Sequence, residues 1–289
     1  MLYLVDASVY IFRAYFSLPD SIRDRSGHPV QAVYGFTRFL VELLAREQPR
    51  YLACAFDESL TSSFRNRIYP PYKANRVLPP PELEQQLKAC RRAARALGIA
   101  TFASKRYEAD DLIGTLARRH GRGRAVVIVS RDKDLAQLVR EGDVFWDYGA
   151  GERHDVQSIT SKLGVPPARI PDLLGLAGDA VDNIPGVAGI GVKTAAALLQ
   201  AFEDLDDVYA NLDRVAALPL RGAVGIAARL AAGRDLASLS RELATIHCDI
   251  PLKTTLAELR WTGINTRAVN RLLNELGFGA SLRRQIERL

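Results

Sequence analysis

Residues 125–134 read Ala-Val-Val-Ile-Val-Ser-Arg-Asp-Lys-Asp, and this stretch decides the fold class. Its first five residues form an uninterrupted apolar run, which is typical of a strand buried on both faces of a parallel sheet. Asp132 and Asp134 follow shortly after the run. In an open α/β sheet, ligands bind outside the carboxyl ends of the strands. The stretch therefore predicts a parallel sheet with an acidic site at its edge.

Two earlier apolar runs repeat this arrangement. Leu2–Val5 is followed by Asp6, and Tyr51–Phe56 is followed by Asp57. Val144–Trp146 is a further candidate strand. Between the strands, apolar side chains at helical spacing predict helices over Tyr10–Phe16, Val30–Arg46, Glu82–Leu97 and Asp110–His120. Strands that alternate with helices predict an α/β fold with a mostly parallel sheet flanked by helices.

The sequence changes character after about residue 155, where Gly and Pro interrupt short Ala- and Leu-rich segments. This pattern predicts a helical C-terminal part that packs on the α/β part. One of its helices is predicted over Ala195–Phe202, directly after a glycine-rich turn.

The composition places the chain among ordinary soluble proteins. It has 289 residues, of which 48% are hydrophobic and 25% are charged. No apolar run approaches the roughly 20 residues of a membrane-spanning helix, and the N-terminus lacks the features of a signal peptide. The three cysteines are far apart and are expected to be reduced, and the four histidines are too scattered for a zinc enzyme. We therefore expect a cytoplasmic protein with no membrane partner and no small-molecule cofactor.

Basic and acidic residues are distributed unevenly. The net charge is +6, but nine acids fall at strand ends, at a predicted helix start or in short clusters. Outside this set, 39 Lys and Arg residues face 24 acids, a net charge of +15. A basic body around an acidic pocket suits a metal-dependent enzyme that acts on a polyanion. The nine acids are Asp6, Asp57, Glu108, Asp110, Asp111, Asp132, Asp134, Asp179 and Asp182.

Carboxylates collected in one pocket repel one another, and divalent cations relieve that repulsion. Ligands that are all oxygen favour Mg²⁺ or Mn²⁺, and two ions about 3.5–4 Å apart could hold both sides of a phosphoryl transfer. Any one of the nine acids, taken alone, could equally be a helix cap or a turn residue. Their occurrence together at five places favours a metal site.

Residues 183–194 form a glycine-rich turn, Asn-Ile-Pro-Gly-Val-Ala-Gly-Ile-Gly-Val-Lys-Thr. Glycine allows close approach of the backbone to a phosphate, and the N–H groups at a helix start attract anions. The spacing is not that of a Walker loop. The candidate DNA-backbone contacts here are Gly186, Gly189, Gly191, Lys193 and Thr194; a purely structural turn is the alternative.

Residues 63–76 mix cations with aromatic side chains. Arg65, Arg67 and Lys73 could follow the phosphates of single-stranded nucleic acid, while Tyr69 or Tyr72 stacks on a base. Lys73 could also neutralise charge that develops on a scissile phosphate. The alternative is an exposed loop with incidental arginines.

These segments together resemble the bacterial 5′-nucleases, which comprise the 5′–3′ exonuclease domain of DNA polymerase I and related standalone flap endonucleases. The resemblance extends through most of the chain and past residue 240, with Ala7 standing where a glycine is frequent. The matching segments are residues 4–6, 56–57, 69–76, 107–111, 130–135, 178–186, 189–195 and 239–245.

The resemblance implies a PIN-like 5′-nuclease fold, with an α/β nuclease core over residues 1–160 and a helical DNA-binding part over 161–289. It implies an arch at about 61–95 that admits a 5′ single strand, and a helix-three-turn-helix at about 183–202 that often binds K⁺. Lys73 and Arg76 would engage the scissile phosphate, with Tyr72 beside them, and Arg13 would contact the substrate. Asp6, Asp57, Glu108, Asp110 and Asp111 would form one metal site, and the remaining four acids would form the second.

The resulting hypothesis is a structure-specific 5′-nuclease that hydrolyses DNA by a two-metal-ion mechanism in replication or repair. Its expected partner is DNA with a 5′ flap, nick or 5′ end, bound by a monomer. Because no polymerase segment follows Leu289, a standalone nuclease and an excised domain are both compatible with the sequence. The alternatives are a non-catalytic flap- or junction-binding protein of the same fold, and an RNase H-like nuclease acting on RNA–DNA primers.

Overall fold

The computed structural model describes residues 1–58 and 62–289. Within these residues six strands form one sheet in the order β3-β2-β1-β4-β5-β6, and only β6 is antiparallel to its neighbour. The mostly parallel sheet is therefore as predicted. The strands are β1 (Leu2–Asp6), β2 (Tyr51–Asp57), β3 (Ala100–Ser104), β4 (Val126–Val129), β5 (Val144–Asp147) and β6 (Glu152–His154).

Helices cover both faces of the sheet and form most of the C-terminal part. The predicted helices are found with ends shifted by at most three residues. The helices of the described residues are α1 (Ala7–Ser17), α2 (Gln31–Glu47), α3 (Phe64–Ile68), α4 (Pro81–Ala96), α5 (Ala109–His120), α6 (Val156–Leu163), α7 (Ile170–Ala177), α8 (Val192–Ala201), α9 (Leu205–Ala210), α10 (Leu212–Ala216), α11 (Ala223–Ala232), α12 (Arg234–Ala244), α13 (Thr266–Glu275) and α14 (Ala280–Ile286).

The central strand β1 shows why the strands read as continuous apolar runs. Tyr3 and Val5 pack into one apolar cluster with α1, α2 and α4. Leu2 and Leu4 pack into a second cluster on the other face, with α5. Because both faces are covered, polar residues are excluded from the strand until Asp6, at its carboxyl end.

The C-terminal part has two different attachments. Most of the buried apolar side chains between residues 165 and 237 form a cluster of their own. In contrast, α13 and α14 return to the α/β part and join the same cluster as α2 and α4. Trp261 also donates its indole N–H to the carbonyl of Leu97 at 2.9 Å. The boundary near residue 160 stays a prediction.

Three short elements were not predicted from the sequence. Strand β3 lies at the edge of the sheet and its side chains are only half-buried, so it lacks a continuous apolar run. Helix α3 has five residues, too few for a helical period to be visible. Strand β6 has three residues.

None of the helices in the described ranges combines the length and apolarity needed to cross a bilayer. Cys54, Cys90 and Cys248 are unpaired, as predicted. Burial raises the pKa of each of these thiols, which keeps them protonated and unreactive.

Candidate active site

Three carboxylates lie together at the carboxyl edge of the sheet. Asp6 ends β1, Asp57 ends β2 and Asp132 follows β4, and these three strands are adjacent. Ser130 donates its hydroxyl to Asp6 Oδ2 at 2.7 Å and accepts the backbone N–H of Asp132 at 2.9 Å. The sheet thus brings together acids that are distant in sequence, as the strand pattern predicts.

Helix α5 adds two acids to this edge. The backbone N–H of Ala109 donates to Asp57 Oδ1 at 2.9 Å, so the helix begins beside the end of β2. Asp110 and Glu108 line a cavity of about 400 Å³ together with the strand-end acids. Lys73 and Arg76 contribute positive charge to the same cavity. We call Asp6, Asp57, Glu108, Asp110 and Asp132 the sheet-edge cluster.

Three carboxyl groups of the sheet-edge cluster, those of Asp6, Asp110 and Asp132, resist ionising together. Burial, followed by the charge of Asp57, raises the pKa of Asp6 to about 7 against the opposing hydrogen bond from Ser130. Burial and then the charge of Asp132 raise the pKa of Asp110, and burial also raises that of Asp132. Divalent cations stabilise such a set, and all-oxygen donors suit Mg²⁺ or Mn²⁺. The donor types present, which are all carboxylate oxygens, therefore suit a divalent metal ion.

A second acidic cluster contains Asp134, Asp179 and Asp182, whose nearest carboxylate oxygens all lie within 4.8 Å of one another. No other group of three His, Cys, Asp or Glu side chains in residues 1–58 and 62–289 meets this distance. Burial, followed by the charges of Asp132 and Asp182, raises the pKa of Asp134. This loop cluster, as we call the three acids, also fits a divalent cation.

The connection between α7 and α8 places two acids of the loop cluster. Asp179 and Ile184 exchange backbone hydrogen bonds of 2.9 and 2.7 Å, which closes a turn around Asp182. Gly178 and Gly186 have φ of +70° and +61°. A Cβ at Gly186 would lie 2.3 Å from the backbone nitrogen of Gly178. Glycine is therefore required where the two ends of this turn approach each other.

Lys73 joins the two clusters. Its Nζ lies 2.8 Å from Glu108 Oε2 and 3.4 Å from Asp182 Oδ2. Burial alone would lower the pKa of Lys73, but the charges of Glu108, Tyr72 and Asp182 together outweigh it, so the pKa lies well above its usual value and the amine stays charged. Conversely, Lys73 and Arg65 outweigh burial and hold the pKa of Glu108 below its usual value. The backbone φ angle of Lys73 is +56°, a conformation that residues other than glycine rarely adopt.

Two neighbours of Lys73 touch the same acids. Arg76 forms an ion pair with Asp182 Oδ1. The hydroxyl of Tyr72 lies 3.1 Å from Glu108 Oε2 and 3.3 Å from Asp182 Oδ2. Residues 72–76 thus contact both acidic clusters.

Three polar residues of the site were not singled out from the sequence. Besides Ser130, Asn75 donates to the carbonyl of Ala180 at 2.9 Å and Asn183 donates to that of Pro71 at 2.7 Å. These amides connect the turn of the loop cluster to residues 71–76. All three lie within the matching segments, but a single sequence does not indicate which polar side chains of a motif face the site.

Two predicted DNA contacts are corrected by the structure. Tyr72 is 3% exposed, so its ring offers no face on which a base could stack. Gly186 is buried, and its N–H donates to Ser240 Oγ at 2.9 Å, so it is not available to a phosphate.

The roles predicted for Arg65 and Asp111 are also corrected. Arg65 is 2% exposed and cannot follow a DNA backbone at the surface. Asp111 is fully buried, and both of its oxygens accept hydrogen bonds from Arg65 at 2.8 Å. The carboxylate faces a guanidinium and not the cavity, so it does not fit the predicted place as a metal ligand.

The other predicted DNA-binding residues lie on the surface, and their roles stay predictions. Arg13 and Arg67 are exposed, and Arg13 Nη2 lies 3.4 Å from the carbonyl of Gly149. The predicted arch includes α3 and α4, but Thr61 at its start lies outside the described residues. At the start of α8, Gly189, Gly191 and Lys193 are exposed and Thr194 is half-buried.

An acidic edge of a parallel sheet, joined by Lys73 to a second acidic cluster, is an arrangement suited to a metal-dependent enzyme that acts on phosphate groups. The chain belongs to the 5′–3′ exonuclease family. Residues 1–164 match the model of the 5′-3′ exonuclease N-terminal resolvase-like domain, and residues 165–267 match the 5′-3′ exonuclease C-terminal SAM fold.

A curated relative is the DNA polymerase I of Bacillus caldotenax, which is 38% identical over 286 residues covering 97% of this chain and 32% of that protein. The chain thus spans about a third of the length of the curated relatives it matches. Solved structures establish the same fold. T5 5′-exonuclease with bound zinc has a TM-score of 0.70 at 18% identity, covering 95% of this chain and 99% of that one. The T5 flap endonuclease in a complex with DNA and metal ions has a TM-score of 0.66 at 21% identity, covering 99% and 97%.

Proposed function

We propose that the chain is a metal-dependent 5′-nuclease that hydrolyses DNA phosphodiesters at a 5′ end, a nick or a 5′ flap. One observation carries this proposal. Two clusters of buried and half-buried carboxylates are joined by Lys73, which contacts Glu108 of the sheet-edge cluster and Asp182 of the loop cluster. Such an arrangement combines sites for cations with a positive charge where a phosphate would lie.

Mg²⁺ is the proposed metal, with Mn²⁺ as a substitute. The sheet-edge cluster would hold one ion and the loop cluster a second. When bound, the ions would offset the charge of the carboxylates and stabilise negative charge that develops on the phosphate. The raised pKa values of Asp6, Asp110, Asp132 and Asp134 support this assignment. Each results from burial and from the charge of neighbouring carboxylates, which a bound cation would offset.

The chain's own residues would hold and orient the substrate phosphate. Lys73 keeps its charge at neutral pH, and with Arg76 it would bind the scissile phosphate and stabilise the charge formed in the transition state. Tyr72 would hold Glu108 and Asp182 in place through its hydroxyl. Ser130 would do the same for Asp6 and Asp132.

Duplex DNA would bind at the turn between α7 and α8. Lys193 and Thr194 at the start of α8 would contact phosphates, with no dependence on base sequence. Gly189 is exposed with φ of +76°, and no atom lies within 4 Å of a Cβ placed at Gly191. A site for K⁺ in this turn is proposed from the family resemblance alone.

The test uses DNA labelled at the 5′ end in flap, nicked and single-stranded forms, incubated with Mg²⁺ or with EDTA. We expect cleavage near the flap junction with Mg²⁺, giving 5′-phosphate and 3′-hydroxyl products, and no cleavage with EDTA. An RNA flap of the same sequence tests the preference for DNA.

Two variants complete this experiment. Asp110→Asn should remove cleavage while the chain still binds the flap. Asp155→Asn is the matched control, because Asp155 is an exposed helix-capping acid outside both clusters. Cleavage in EDTA, or wild-type cleavage by Asp110→Asn, would reject the proposed function.

A further inference from the structure

The corrected pair, Arg65 and Asp111, has the geometry of a fixed internal contact. Arg65 Nη1 donates to Asp111 Oδ2 and Nη2 donates to Oδ1, both at 2.8 Å. A two-point contact between a guanidinium and a carboxylate sets orientation as well as neutralising charge. Both side chains are almost completely buried, so solvent does not weaken the interaction.

The pair also binds a third segment of the chain, at the end of α12. Arg65 Nε donates to the carbonyl of Leu243 and Nη2 donates to that of Thr245, both at 2.8 Å. The backbone N–H of His247 donates to Asp111 Oδ1 at 2.9 Å. The pair therefore connects α3, the first turn of α5 and residues 243–247.

Asp111 has no acceptor position left for a cation. Oδ1 accepts from Arg65 and His247, and Oδ2 accepts from Arg65 and from the backbone N–H of Glu108 at 3.1 Å. A carboxylate offers about four lone-pair positions, and four donors occupy them. The guanidinium would also repel a metal ion placed beside it.

The position of Glu108 depends on this pair. Its backbone N–H is held by Asp111, and its carboxylate oxygen Oε2 lies 3.6 Å from Arg65 Nη1. The same oxygen contacts Lys73. Helix α12 packs on α7, which leads into the turn of the loop cluster. Both acidic clusters are thus connected to the pair without either member facing the cavity.

We propose that Arg65 and Asp111 are a positioning pair of the nuclease site. Arg65 contacts no DNA and Asp111 binds no metal. Together they fix Glu108 and attach the end of α12 to the first turn of α5. The consequence for cleavage rests on the proposed function, whereas the pairing itself does not.

The first experiment is a double-mutant cycle on the thermal unfolding of the full chain in EDTA. Arg65→Met and Asp111→Asn should each lower the unfolding midpoint by about 10 °C, because each leaves a buried partner uncompensated. The double variant Arg65→Met/Asp111→Asn should have an unfolding midpoint no lower than that of the less stable single variant. Additive losses would overturn the pairing.

A surface pair provides the matched control for this cycle. Arg92 and Glu275 form a similar two-point contact, but about half of each side chain is exposed. Arg92→Met, Glu275→Gln and their double variant should shift the midpoint by no more than about 2 °C. If this exposed pair shifted the midpoint as much as the buried pair does, burial would not explain the strength of the contact between Arg65 and Asp111.

The second experiment measures Mn²⁺ binding without DNA. Asp111→Asn and Arg65→Lys should weaken Mn²⁺ by similar factors, tenfold or less, and leave the number of bound ions unchanged. Arg65→Lys keeps the charge but loses the two-point contact, so it serves if Arg65→Met does not fold. Loss of a bound ion in Asp111→Asn, with Arg65→Lys unaffected, would make Asp111 a ligand and overturn the proposal.

The third measurement is flap binding in EDTA over a range of salt concentrations. Arg65→Met should leave the slope of log affinity against log salt unchanged, since a buried arginine releases no counterion. A slope reduced by about 1 in Arg65→Met would show a phosphate contact and overturn the proposal.

If the wild-type chain binds no Mn²⁺ and cleaves no flap, the proposed function fails while the coupling measured in EDTA still stands.

Discussion

The sheet-edge cluster and the loop cluster present the same functional groups but hold them in different ways. Asp6 and Asp57 end strands whose neighbours are fixed by the backbone ladder. Asp179 and Asp182 lie in a turn closed by two backbone hydrogen bonds and by amide contacts to residues more than 100 positions away. The first cluster depends on the whole sheet, whereas the second depends on a few contacts that single substitutions can remove.

The largest expected effect is the loss of cleavage when one carboxylate is removed from either cluster. Asp110→Asn and Asp179→Asn should each lower the single-turnover cleavage rate by about 10³-fold, because several kcal/mol of charge stabilisation is lost. Asp155→Asn is again the control. Wild-type cleavage by Asp179→Asn would mean that the loop cluster takes no part in the reaction.

The next effect concerns the cation that joins the clusters. Lys73→Met should lower the cleavage rate by about 10²-fold, because a charge aimed at the phosphate is removed. Duplex affinity should change much less, since one buried lysine adds little to a surface of many phosphate contacts. Lys162→Met, an exposed lysine on α6, is the matched control. Unchanged turnover in Lys73→Met would show that Lys73 only holds the two clusters together.

A smaller effect tests the turn of the loop cluster. Gly186→Ala places a Cβ against the backbone of Gly178 at positive φ, so the free energy of unfolding should fall by about 3 kcal/mol. Gly191→Ala, in the same connection but with open space around its Cβ, should change it by less than about 1 kcal/mol. Denaturant unfolding of both variants measures the difference. Equal stabilities would contradict the close approach described for this turn.

The smallest expected effect separates two roles for Tyr72. Tyr72→Phe keeps the ring but loses the hydroxyl that lies near Glu108 and Asp182. A lost hydrogen bond of about 1 kcal/mol predicts a roughly fivefold lower cleavage rate. A variant with the wild-type rate would show that the hydroxyl does not position the two acids.

The sheet-edge cluster was largely predictable from the sequence because its signals are local. A strand buried on both faces appears as an apolar run, and the acid that ends it appears as the next polar residue. Asp6, Asp57 and Asp132 meet because parallel strands carry their carboxyl ends to one edge. The edge strand β3 was missed because half-buried side chains carry no such run.

The contacts around Lys73 were not predictable for the opposite reason. Residues 69–76 have no helical or strand period. A lysine rarely adopts a positive φ, so the residue type did not indicate this backbone conformation at Lys73. The burial of Arg65 and Tyr72, which counts against the DNA contacts predicted for them, could not be read from composition. Arg65 looked like a surface cation, yet its partner lies 46 residues away inside the fold.

The packing of α13 and α14 against the sheet has a practical consequence for expressing this domain. The match to the C-terminal family model ends at residue 267, only two residues into α13. A fragment cut there would uncover the apolar surface that Val269, Leu272, Leu273 and Phe278 share with α2 and α4. Exposed patches of this kind cause aggregation. Recombinant fragments should therefore extend at least through Ile286 to remain soluble.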